Sequence, residues 1–348
     1  MGQVADGSSG PVTRRPRVAV IFMGGTISML PDPETGAAVP ALDGAAILAR
    51  VPGLSRLAGL EPIDWGRVPA SHLRFAQLLD VAATIGRAAT QVDGVVVVQG
   101  TDVLEETAFA WDLLYHEHAP VVVVGAMRNA GEPDYDGPAN LTDAVRVAAD
   151  PRLRGSGVLV VMAGSILPAD DVTKTHSLAL DTFQALNSGP LGHVVDGRVG
   201  LERKRGPRRS IAVVPDQAAD VALLTAAVSM DGSLLRAATR SGVAGVVVEA
   251  TGSGNSDPDL LAAAAEAMAV GVEVALATRC ASGPVGPFYG FPGGGRSWRE
   301  AGALLAGTLS GPKARVALAL GLGARLDHAQ LRGLLAGDPG TAAATGRP

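Results

Sequence analysis

Gly94-Val-Val-Val-Val-Gln-Gly-Thr-Asp-Val-Leu-Glu-Glu-Thr-Ala108 decides the fold. Four consecutive valines lead into Gln99 and Gly100, Thr101 and Asp102 follow, and a helix-like segment begins. A continuous β-branched run is the pattern of a strand covered on both faces. Here the run delivers a hydroxyl and a carboxylate to its C-terminal end, which in open α/β sheets is where ligands bind. A second arrangement of this kind lies upstream, Val18-Ala-Val-Ile-Phe22 followed by Met23-Gly24-Gly25-Thr26-Ile27. Neither turn has the GxGxxG or GxxxxGK[ST] spacing of a nucleotide cradle. Two strand-end threonines therefore point to hydroxyl chemistry rather than phosphate binding.

Outward from these two turns the chain alternates short apolar runs with longer helical patterns. Strands are predicted at 18–22, 95–99, 121–125, 158–162, 245–249 and 272–277, and helices at 41–50, 74–88, 105–116, 139–149, 259–269, 298–306 and 312–320. This rhythm predicts a two-domain α/β protein, with a parallel doubly wound sheet in a larger N-terminal domain and a smaller α/β C-terminal domain. The charged, Pro-containing stretch 200–219 reads as the linker, which gives domains over 17–199 and 220–337. The polar segment 1–16 and the Ala/Gly-rich end 338–348 read as disordered tails.

Composition narrows the function. The chain has 348 residues, is 47% hydrophobic and carries a net charge of −5. It is long enough for two cores, and the negative balance argues against nucleic acid or an anionic membrane as partner. The basic cluster Arg203-Lys-Arg-Gly-Pro-Arg-Arg209 reads as a solvated linker. Cys280 is the single cysteine, which excludes an intrachain disulfide and a cysteine-based metal site. The N-terminus lacks the apolar segment of a secretory signal, and no run approaches the roughly 18–20 apolar residues of a membrane span. A soluble cytoplasmic protein is the expectation.

Taken in order, the motifs are more specific than any one of them. Gly24-Gly-Thr-Ile27 is followed by Gly100-Thr-Asp-Val-Leu-Glu-Glu-Thr107, Pro120-Val-Val-Val-Val-Gly-Ala-Met-Arg128 and Asp136-Gly-Pro-Ala-Asn140. Asp171-Val-Thr-Lys-Thr175, Asn187-Ser-Gly-Pro-Leu-Gly192, Gly252-Ser-Gly-Asn255 and Gly307-Thr-Leu-Ser-Gly-Pro-Lys-Ala-Arg-Val316 complete the series. Over about residues 17–335 this set resembles the bacterial-type L-asparaginases, the family that includes the asparaginase-glutaminases. The resemblance implies hydrolysis of L-asparagine to L-aspartate and ammonia, with no metal or organic cofactor. It also implies a homotetramer of two close dimers, whose active sites lie between the N-domain of one subunit and the C-domain of its neighbour.

Residue by residue, the resemblance makes Thr26 the nucleophile that takes the acyl group. Thr101 becomes the second threonine, and Lys174 the lysine paired with it. Asp102 would bind the substrate α-ammonium, Ser71 its α-carboxylate with His72 alongside, and the Ala126 backbone would help hold the amide. The chemistry is coherent: a threonine hydroxyl needs an adjacent base, and a lysine is a base only where burial or neighbours keep it neutral. Backbone N–H groups at the Thr26 and Thr101 turns are candidate oxyanion donors.

Three departures stand out. The loop 28–40, where the family carries a tyrosine that assists the nucleophile, has none, and Ala37 falls near that position. Tyr135 and Tyr289 are the candidate substitutes. Gln99 replaces a more usual histidine, and His72 a more usual glutamine. His176 lies close to Lys174 in sequence. The alternatives are a hydrolase of another amide (L-glutamine or D-asparagine), a catalytically weak amino-acid-binding pseudoenzyme, and, on fold rhythm alone, a flavodoxin-like nucleotide binder.

Overall fold

The computed structural model describes residues 14–337. The larger domain is built on an eight-stranded sheet whose order is Arg198–Leu201, Gly192–Val195, Ser165–Pro168, Val158–Met162, Val121–Val124, Gly94–Val98, Arg17–Phe22 and Gly59–Asp64. The last five of these run parallel. Val95–Val98 and Val121–Val124 are fully buried, as strands covered on both faces must be. The two-domain α/β class is as expected from the sequence, and most predicted strands agree with the observed ones to within a residue or two at each end.

One edge of the sheet departs from a purely parallel design. Ser165–Pro168, Gly192–Val195 and Arg198–Leu201 pair antiparallel. The cause is the length and chirality of the connections. Ala163-Gly164 and Asp196-Gly197 are two-residue turns in which all four residues have positive φ (47°, 74°, 49° and 70°). That geometry closes tight hairpins, and a parallel pair would need a crossover of about a dozen residues. The sheet therefore continues to Leu201, two residues into the segment read as linker.

In the basic cluster beyond it Lys204 is exposed, but Arg205, Arg208 and Arg209 turn inward. The Arg205 side chain is 6% exposed and grips Asp112, itself 1% exposed, at 2.6 Å and Asp170 at 2.8 Å. Arg208 adds a second contact to Asp112 at 2.9 Å. The solvated-linker reading fails because the acids that draw these guanidiniums inward lie on a distant helix and loop, invisible to a local view of the sequence.

The smaller domain has a four-stranded parallel sheet ordered Val221–Thr225, Gly245–Ala250, Glu273–Thr278 and Leu304–Leu305. Helices Ser233–Arg240, Pro258–Ala269, Gly311–Gly323 and His328–Ala336 accompany it. The helix predicted over 298–306 is observed as Gly295–Glu300 and then a short strand; Gly302, at φ 103°, separates the two.

Helix Leu104–Leu114 belongs to both domains. Leu104, Ala108 and Trp111 lie in the N-terminal core, and Phe109, Ala110, Leu113 and Leu114 in the C-terminal one. A helix with apolar side chains on two opposite faces must be covered on both, and Gly311–Gly323 packs against it from the other domain. The expected tails lie largely outside the described residues. Of the N-terminal one, Arg14 binds Asp93, Arg15 binds the Ala58 carbonyl, and the Pro16 carbonyl accepts from Gly59 N–H.

Candidate active site

Three adjacent parallel strands end together. Arg17–Phe22 runs into Gly24 and Gly25, at φ 92° and 96°, where an L side chain is disfavoured. Gly25 lies hard against Gly100: a Cβ on Gly25 would sit 2.2 Å from the Gly100 nitrogen. This backbone contact brings the turns carrying Thr26 and Thr101 side by side. Thr26 opens a short 3₁₀ turn, Thr26–Ser28, and Ser28 locks it by donating from N (2.9 Å) and Oγ (2.7 Å) to the Gly25 carbonyl. On the third strand end, a Cβ on Gly125 would lie 2.9 Å from the Thr101 methyl. Ala126, buried, comes next. The turn Ala70–His72 meets the same place through Ala70, which packs on Gly100, while Ser71 and His72 are exposed.

Lys174 reaches this cluster from outside the sheet. It ends the strand Val172–Lys174, which pairs with Phe183–Ala185 in a separate two-stranded ribbon. Its Nζ lies 2.9 Å from Thr101 Oγ1 and 3.4 Å from Asp102 Oδ1. Thr101 is 5% exposed, whereas the Asp102 side chain is 67% exposed and free to meet a ligand. The Lys174 N–H donates to Glu105 Oε2 at 2.9 Å. Burial pushes the Glu105 carboxyl above its usual range, opposed by the charge of Lys313 and the Lys174 N–H. Among the described residues no protein acceptor takes the N–H of Thr101, Asp102 or Val103, at the N-terminal entry of Leu104–Leu114.

The departures resolve into definite contacts. The loop without tyrosine forms a ribbon of Met29–Pro31 against Ala38–Pro40, with Ala37 exposed. Tyr135 donates from its hydroxyl to the Ile27 carbonyl at 2.7 Å, inside the Thr26 turn. Burial pushes its pKa up to about 12, so the phenol remains a donor at neutral pH. Tyr289 instead packs on Phe291 at a centroid distance of 5.8 Å. Gln99 donates to Thr107 Oγ1 at 2.5 Å, and its Oε1 is buried with no partner among the described residues. His176 Nδ1 accepts from the N–H groups of Leu178 and Ala179, closing its own loop.

The chain matches the sequence model of the N-terminal asparaginase domain over residues 17–206, and that of the glutaminase/asparaginase C-terminal domain over 220–335. This chain belongs to the asparaginase family. A probable L-asparaginase of Deinococcus radiodurans is 37% identical over 314 residues, covering 87% of this chain and 92% of that one. An L-asparaginase of Bacillus licheniformis is 31% identical, covering 87% and 94%. Among solved structures, a probable cytoplasmic L-asparaginase from Campylobacter jejuni superposes with a TM-score of 0.83 at 28% identity, covering 92% of this chain and 99% of that one.

Within this asparaginase fold, sequence reasoning missed two groups beside Lys174. Glu105 and Lys313 stand in the sequence only inside motifs, with no role of their own. Lys313 is 1% exposed in the first turn of Gly311–Gly323. A cation at the positive end of a helix is unfavourable, and that anomaly was the available signal. No helix among the described residues is long and apolar enough to cross a membrane.

Proposed function

We propose that this protein hydrolyses L-asparagine to L-aspartate and ammonia through a threonine nucleophile. The observation that carries the reading is the 2.9 Å contact between Lys174 Nζ and the nearly buried Thr101 hydroxyl, beside the turn that presents Thr26. In the proposed reaction Thr26 Oγ attacks the side-chain amide carbon, and its proton passes to the Thr101–Lys174 pair, with Lys174 acting as the amine. Unpaired N–H groups at the strand ends stabilise the oxyanion; one such donor is worth ~10²–10³ in rate. The tetrahedral adduct collapses, the C–N bond breaks, and the nitrogen takes the proton and leaves as ammonia. Water, deprotonated by the same pair, then adds to the ester carbon. Aspartate departs, and Thr26 recovers its proton.

Recognition of an α-amino acid falls to exposed groups at the mouth. Asp102 offers a charge-assisted bond to the α-ammonium, Ser71 and His72 meet the α-carboxylate, and the Ala126 backbone holds the amide. The Tyr135 bond to Ile27 supports the Thr26 turn in a chain whose loop lacks a tyrosine. We further propose a cytoplasmic homotetramer of two close dimers, needing neither metal nor organic cofactor; light scattering on the purified protein tests the assembly.

The deciding experiment is ammonia release from L-asparagine, L-glutamine and D-asparagine, with Thr26→Ala as control. Release from L-asparagine that vanishes in Thr26→Ala is the expected result. Preference for L-glutamine or D-asparagine would reassign the substrate. No release from folded protein would favour an amino-acid-binding pseudoenzyme, which the absence of a loop tyrosine recommends as the second reading.

A further inference from the structure

The strand that carries Lys174 has little support of its own. It is three residues long and, among the described residues, pairs only with Phe183–Ala185, outside both sheets. Isolated two-stranded ribbons are marginal in water. Yet the Thr101–Lys174 contact must hold to a few tenths of an ångström, since a misplacement of about 1 Å at a reacting group can cost ~10²-fold in rate.

Two ionisable groups, a buried Lys313 and a half-buried Glu105, neither used by the reaction above, hold the strand from both ends. At its start, Lys313 Nζ donates to the Val172 carbonyl at 2.5 Å. At its end, Glu105 Oε2 accepts from the Lys174 N–H at 2.9 Å. The two clamps come from different domains, Glu105 from Leu104–Leu114 and Lys313 from Gly311–Gly323, helices that pack on each other. Their charges oppose each other's desolvation: Glu105 counters the effect of burial on Lys313, and Lys313 that on Glu105. Asp170, Asp171 and Arg209 also face the Lys313 amine electrostatically. A buried cation at the positive end of a helix costs stability twice over, by desolvation and by the helix dipole. It is better explained by what it holds than by what it adds to the core.

We propose that Lys313 and Glu105 are a pair of positioning residues that fix the Val172–Lys174 strand, so that the C-terminal domain sets the aim of Lys174 at Thr101 within one chain. The catalytic part of this proposal rests on the hydrolase reading; the clamp itself does not.

The test uses the full chain with Lys313→Met, Glu105→Ala and Glu105→Gln. Lys313→Met and Glu105→Ala should each lower kcat for ammonia release at least tenfold while KM stays within about twofold, because the substrate-binding groups are untouched. Glu105→Gln keeps an acceptor for the Lys174 N–H and should recover most of kcat. Amide hydrogen exchange read at Val172–Lys174 should accelerate at least tenfold in the first two variants and stay near wild type in the third. If Lys313→Met leaves the Glu105 charge stranded and does not fold, Lys313→Met combined with Glu105→Gln removes both charges and should show the same loss of kcat and of protection. Folded variants with unchanged exchange overturn the clamp. Accelerated exchange with kcat within twofold of wild type overturns its catalytic role. Wild-type protein inactive on every amide removes the hydrolase reading, while the exchange arm still decides the clamp.

Discussion

Arg205 and Lys313 are both buried cations facing acids, and the fold treats them differently. Arg205 has a nearly complete set of acceptors: both Asp112 oxygens, Asp170 and the carbonyls of Ser156 and Val158. Burial works against its charge, but Asp112 and Asp170 outweigh burial, and its pKa rises. Lys313 has one hydrogen bond among the described residues, to Val172, and there burial wins: its pKa falls to about 8 despite Glu105, Asp170 and Asp171. The guanidinium is a permanent structural charge matched on all sides. The amine is an under-compensated charge next to the proposed base. The contrast separates a charge kept to fasten the chain from one kept to aim a side chain.

The sharpest way to break this contrast is at Thr101. Thr101→Val preserves shape and the surrounding burial, so stability should hold while turnover falls by up to ~10⁴-fold, the upper end for a lost acid–base group; steady-state kinetics beside thermal melting checks both. Arg205→Met should do the reverse. It takes the bidentate partner from Asp112 and leaves Arg208 as its remaining cation, so the loss should approach the figure for a broken buried pair, about 3–5 kcal/mol. Denaturant midpoints should fall accordingly, with kcat retained under conditions where the variant is folded.

The next effect is on pH. The folded-state pKa of Lys313, about 8, lies below that of an unfolded lysine. As pH rises from about 8 towards ~10.4, the unfolded chain holds a proton that the folded chain has released, so this group's contribution to stability grows in that window. The slope is at most about 1.4 kcal/mol per pH unit. The difference between wild type and Lys313→Met, followed by denaturation from pH 7 to 10, should show this slope; the corresponding difference for Arg205→Met should be flat, because the guanidinium stays charged throughout. Smallest is Tyr135→Phe. Losing the bond to Ile27 should cost about 0.5–1.5 kcal/mol, with kcat reduced more than KM is raised. A fall in kcat as large as that of Thr26→Ala would give Tyr135 a direct part in the chemistry.

What could be read beforehand follows the range of the forces involved. The valine runs, the strand-end turns with Thr26 and Thr101, and the alternation of strand and helix are set by neighbours in sequence, and they were legible. Asp196-Gly197 between Val195 and Arg198 was also legible as a hairpin turn, although the predicted strands do not include the pair that it joins. The fate of Arg205 depends on Asp112, 93 positions away, and that of Lys313 on Val172, 141 positions away. No periodicity or propensity reports such pairings. The meeting of Lys174 with Thr101 was an expectation carried by resemblance; spacing alone would have left Lys174 on the surface.

The helix Leu104–Leu114 carries a consequence for the life of the chain before it is folded. Since one of its sides closes the first core and the other closes the second, an N-terminal half emerging alone from synthesis shows Phe109, Leu113 and Leu114 to water. That nascent half is adhesive until the C-terminal domain, residues 220–335, arrives. The two domains are then not separable modules. They share one wall, neither is a unit that can be cut out, exchanged or melted by itself, and the chain should denature as one piece.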